Sequence, residues 1–171
     1  GIEEVNIECA ALIKDQFILG NRGNTGNPKN HIVITESDFW QRQYEVNISL
    51  SELELPSNSE TFIGISELCY VAAHDLLLFT LSSEFTSNSF EDGAIGDSYI
   101  GWVNSISQKI NQPHLQLAGM INLSKVAAEF KGEKIEGLCV EPGSGNEFIA
   151  HLISDDDQGQ SKLFKLKIQI D

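Results

Sequence analysis

The chain has 171 residues, 41% of them hydrophobic, and its 25 acidic residues against 11 basic ones give a formal charge of −14. That length and apolar content suit a folded core rather than a disordered tail. The negative charge repels nucleic acid and anionic membrane, so neither is expected as a partner, and no run of about 18 apolar residues marks a membrane span.

The first strand-like runs are Asn6 to Ile13 and Gln16 to Asn21, with Lys14-Asp15 as the turn of a hairpin. His31 to Thr35 is a third strand. Tyr44 to Leu50 is a fourth, alternating Tyr44, Val46, Ile48 and Leu50 with polar partners as a strand with one wet face does. A polar connection through Pro56-Ser57-Asn58 follows. The next strands are Ile65 to Ala72, Leu76 to Ser82, Ser98 to Ser105 and Leu115 to Leu123, with a long excursion from Ser83 to Asp97 rich in Ser, Asn, Asp and Gly. Loops of that length often carry function. Ser124 is a candidate cap for a helix over Lys125 to Phe130, ended by Gly132. Ile135 to Val140, Glu147 to Ile153 and Lys162 to Ile170 complete the strands.

This order repeats a plan at residues 6–50, 63–123 and 134–170: a short apolar strand with a Glu near its start, a turn, a second apolar strand, a polar loop and a third strand. The glutamates are Glu8, Glu67 and Glu136, and a self-similar unit of that kind points to a repeat architecture. The expected fold is all-β, a β-propeller-type repeat domain with two four-stranded blades and most of a third, half of a six-bladed ring. Cys9, Cys69 and Cys139 each follow a repeat glutamate, at positions that suit buried free thiols.

The segments LLLFTLSSEFTSNSFEDGAIGDSYIGWV, FILGNRGN with a later Asn30, and KIEGLCVE with HLISDDDQGQSKLFKL resemble a bacterial family of unknown function predicted to form β-propellers. That family is in turn similar to the esterase-like phytases. Three motifs in order, over Asn6 to Ile170, carry the resemblance, which matches the C-terminal part of longer members. It implies a fold more firmly than an activity. A second copy of the chain, or an N-terminal half, is expected to complete the ring, because a half ring would expose apolar blade faces. The leading Gly1 suggests a processed end or a cleaved tag, and localisation is not legible.

Several residues are candidates for chemistry. Equivalent repeats would bring Glu8, Glu67 and Glu136 to one mouth of the channel, where they either bind a hard cation such as Ca²⁺ or accept backbone N–H bonds and lock blade to blade. The resemblance adds Asp155, from the Ser154-to-Gly159 turn, as a further metal ligand. Arg22, with Asn24, reads either as a clamp for a carboxylate or phosphate or as an internal counter-ion. Glu84 and Asp92 of the long loop are candidate ligand contacts, on a spacing that is not that of an EF-hand. No nucleophile elbow is present. Two functions follow: a metal-assisted phosphoester hydrolase with an acidic channel mouth, or a non-catalytic propeller that binds protein or glycan through rim loops.

Overall fold

The computed structural model describes every residue except 43, 57–60, 85–94, 142, 144, 156–158 and 171, and the Glu84 side chain. The described strands form three sheets. The first contains β1 (Ile7–Ile13), β2 (Gln16–Asn21), β3 (Asn30–Glu36), β4 (Ser49–Glu54) and β8 (His114–Gln116), in that order. The second runs β5 (Ile63–Val71), β6 (Leu76–Glu84), β7 (Ile95–Asn104) and β9 (Gly119–Asn122). The third is β10 (Lys134–Val140), β11 (Glu147–Asp155) and β12 (Ser161–Gln169). Every pairing is antiparallel except β4 with β8, which is parallel.

Side-chain pattern explains the layering. β6 opens Leu-Leu-Leu-Phe without alternation because the second sheet is covered on both faces. Leu77, Phe79 and Leu81 join Ile18, Ile32 and Ile34 of the first sheet in one core, while Leu76 and Leu78 join Leu138, Phe148 and Leu152 of the third sheet in another. Each fully buried side chain of this size contributes about 1.5–3 kcal/mol. β11 alternates instead, burying Phe148, Ala150 and Leu152 and leaving Ile153 49% exposed, because the third sheet is covered on one face.

The first strands carry a bulge at one shared position. The ladder skips Glu8 between Ile7 and Cys9, Ser66 between Ile65 and Glu67, and Glu136 between Ile135 and Gly137. Ser66, and not Glu67, is therefore the structural counterpart of Glu8 and Glu136.

Neighbouring sheets are joined by a recurring clamp. Asn30, at the start of β3, donates its side-chain N–H to the Ile63 carbonyl at 2.8 Å and accepts from the Ile65 amide at 3.0 Å. Ser98, in β7, donates to the Glu133 carbonyl at 2.8 Å and accepts from the Ile135 amide at 3.1 Å. Both grip a carbonyl and the amide two residues later, just before the bulge of the next sheet's first strand. Such bonds satisfy ladder groups on a first strand that has no strand partner on that side.

Several local expectations are corrected. The fourth strand lies at Ser49–Glu54 and not at Tyr44 to Leu50: Tyr44 is 100% exposed, and the segment finds no sheet to cover its apolar side chains. The run Leu115 to Leu123 is two strands serving different sheets, β8 beside β4 and β9 beside β7. In place of a helix at Lys125 to Phe130 there are two 3-10 turns, Leu123–Lys125 and Ala128–Phe130, split by the extended backbone of Ala127. The cap of the first is Asn122, whose side chain accepts from the Ser124 amide. A short helix, α1 (Ile106–Lys109), follows β7 in a stretch for which no element is expected. Cys9 is a buried thiol as expected, but Cys69 is half-buried and Cys139 is exposed.

Candidate functional site

Arg22 follows the apolar strand β2 and turns its side chain toward the second sheet. It is buried. One guanidinium nitrogen donates to the Ile65 carbonyl at 3.2 Å and to the Ser66 and Ser82 hydroxyls, each at 3.0 Å; the other donates to the Ser82 carbonyl at 3.3 Å. The two hydroxyls lie 3.1 Å apart. Gly64 makes room for this arrangement, because a Cβ there would stand 2.6 Å from Arg22 Nε. Arg22 thus fastens β2 to the bulge of β5. By register, Ser82 and Asp155 hold the same place on the second strands of their sheets.

Asn24 organises the loop beyond Arg22. Its carbonyl oxygen accepts from the Gly26 and Asn27 amides, each at 2.9 Å, and its NH2 donates to Glu4 Oε2 at 2.7 Å. The Asn21 carboxamide accepts from the Asn6 amide and donates to the Glu4 carbonyl, tying the segment before β1 to the same loop. Beside this network is a cavity of about 340 Å³ lined in part by Glu3, Asn24, His31 and Glu52. Burial lowers the His31 pKa, so its imidazole favours the neutral form.

The four carboxylates expected to share a metal occupy different surroundings. Glu8 is exposed and accepts from the Asn6 NH2 at 2.9 Å. Glu67 is half-buried and accepts from the Leu68 amide at 2.8 Å; burial raises its pKa, against the pull of that bond. Its charge also acts on Cys9, whose thiol is pushed up by burial and then by Glu67. Glu136 pairs with Lys134 at 3.0 Å. Asp155 stands across the ladder from Lys134, so Lys134 has both near it. Beside them Glu133 accepts from the Ser154 hydroxyl at 2.6 Å and contacts Lys162. Among the described residues no three His, Cys, Asp or Glu side chains form a group able to hold a metal ion. Glu84 closes β6, paired with Ile95, and its side chain lies outside the described residues, as Asp92 does. Below that loop, Ser83 bridges to Asp97, and Asp97 accepts from Asn122 at 2.9 Å and Ser124 at 2.8 Å.

A third feature has no local signal in the sequence. A cleft of about 440 Å³ opens between the second and third sheets, floored by Leu78, Ile100, Trp102 and Ile121 and bordered by the consecutive residues Leu166 to Ile170. Consecutive lining residues mean that the edge of β12, and not only its face, borders the cleft. Trp102 lies flat across Gly119, where a Cβ would come within 2.3 Å of the ring. A lone Trp in a strand has no spacing signal, so only packing between sheets could expose this site.

A model of a family of unknown function, DUF6910, matches residues 1–159. The chain belongs to that family. The DUF6910 match takes in β1 to β11 and thus Arg22, the three bulges and both clamps. Neither a curated protein nor a solved structure matches the chain.

Proposed function

We propose that this chain is a non-catalytic, propeller-type binding domain whose ligand is an extended, apolar strand of a partner protein, added to the free edge of β12 over the Trp102 cleft. The carrying observation is that edge. β12 pairs along nine residues with β11, whereas the second sheet continues beyond its third strand to β9. Among the described residues no strand follows β12. An added strand would gain backbone hydrogen bonds from the edge and place alternate side chains against Trp102 and Ile121, the general logic of β-augmentation.

The blade reading is supported by the shared bulge, by the clamp repeated from sheet to sheet, and by first strands that adjoin one another, β1 against β5 and β5 against β10. A binding role is favoured over phosphoester hydrolysis because Arg22, the cation a phosphate clamp would use, points into the junction between sheets and donates to four oxygens there.

Panning a display library of nine-residue extended peptides against the chain tests the proposal. Peptides alternating apolar and polar residues should be enriched, and Ile168→Asp should abolish their binding while Ile153→Asp, on the opposite face, leaves it intact. Absence of enrichment, or equal binding by the Ile168 variant, would overturn the reading.

A further inference from the structure

Asn30 and Ser98 sit at one place in their sheets, and each closes a two-bond clamp on the sheet that follows. Register assigns that place in the third sheet to Ser161. Ser98 stands opposite Ser82 and Ser161 opposite Asp155, the two counterparts of Arg22. Ser161 is exposed, and its hydroxyl makes no hydrogen bond with any described residue. The other half of the clamp stands open at the far end of the molecule. Val5 and Ile7 are the counterparts of Ile63 and Ile65, and they are 73% and 43% exposed. The Val5 carbonyl and Ile7 amide are therefore the groups an incoming clamp residue would grip.

Each open half lies on an uncovered face that carries apolar side chains, which on the third sheet stand beside the ion pairs of Glu141 with His151 and Lys165 and of Glu147 with Lys167. On the third sheet, Cys139, Ile153 and Leu163 point away from the second sheet. On the first sheet, Ile7, Ala10 and Leu12 point away from it, and Leu12 is 53% exposed. Ala10 and Leu12 are the counterparts of Leu68 and Tyr70, the residues with which the second sheet packs on the first. The uncovered face of the first sheet is thus of the kind that the second and third sheets present to their predecessors.

We propose that a second copy docks head to tail on this face, the first sheet of one copy against the third sheet of the other, with Ser161 closing its clamp on Val5 and Ile7 of the incoming copy. This contact continues the interface that already joins the three sheets, and one chain carries both of its halves. The contact is heterologous, so it propagates until a ring closes. It uses the side of the third sheet opposite the Trp102 cleft, and its failure is separable from that of the peptide reading.

Light scattering on the 171-residue chain should report a multiple of 18.9 kDa that falls on dilution. Leu163→Asp disables one face and Leu12→Asp the other, and each variant alone should be monomeric. Mixing the two should restore a one-to-one dimer, because each keeps the half the other has lost. Ser161→Ala should weaken association by about five- to thirtyfold, the loss of one or two hydrogen bonds, and Ser161→Asn should restore it, since Asn30 performs the same task. A monomeric wild-type chain, or variants that fail to complement on mixing, would overturn the proposal.

Discussion

Replacing Arg22 with Met separates an interior fastening from a ligand contact. The substitution keeps the length of the side chain and removes the donors to the Ile65 and Ser82 carbonyls and to the Ser66 and Ser82 hydroxyls. The hydroxyls are 3.1 Å apart and can bond each other, so the uncompensated loss falls on the two carbonyls. A buried acceptor left without a donor costs about 1–3 kcal/mol, and removing a desolvated charge while burying a thioether returns part of that. The expected net loss is about 2–4 kcal/mol, a sizeable share of the stability of an ordinary domain. For a chain of this length that lowers Tm by about 4–16 °C. Denaturant unfolding followed by circular dichroism would measure it, with Arg22→Lys falling between the two because an ammonium can reach only some of the four oxygens. A loss below about 0.5 kcal/mol, the range of ordinary surface substitutions, would refute the fastening and return Arg22 to the candidates for ligand contact.

Glu67 has a raised pKa because burial disfavours its charge, so its favourable contribution is full below the ordinary carboxylate value and is lost as pH rises through the folded one. Glu67→Gln keeps an acceptor for the Leu68 amide and should raise Tm at neutral pH, with the gain vanishing below about pH 4; equal gains at both pH values would contradict the assignment. Gly119→Ala drives a methyl into the Trp102 ring and should cost about 1–3 kcal/mol while shifting indole fluorescence. An unchanged spectrum would mean that the ring is not held against Gly119. Millimolar Ca²⁺ should leave Tm unchanged, because Glu8, Glu67 and Glu136 have separate hydrogen-bond or ion-pair partners. An ion at a hundredfold excess over its Kd would add about 2.7 kcal/mol, and a rise of that size would show that the carboxylates gather.

The all-β class, most strand positions and the Lys14-Asp15 hairpin were legible in the residues alone, because burial on one or both faces writes itself into alternation or into runs such as Leu76-Leu77-Leu78-Phe79. So was the recurrence of the unit, although not its register. Glu67 occupies the position of Cys9 and Gly137, and Ser66 the bulge. A bulge shifts side-chain parity by one without leaving a mark in composition.

Tertiary structure decided the rest, for reasons of distance along the chain. Whether Arg22 meets a ligand or the bulge of β5 depends on residues more than forty positions away. β8 joins the first sheet although it lies between β7 and β9 of the second in sequence, and the three residues His114 to Gln116 are too short a run to declare a partner. Asn30, Ser98 and Ser161 share no local motif, and they become equivalent only when the ladders align them. Local sequence sets which faces are apolar; the pairing of strands sets which polar group stands over which backbone, and the junctions between sheets depend on that pairing.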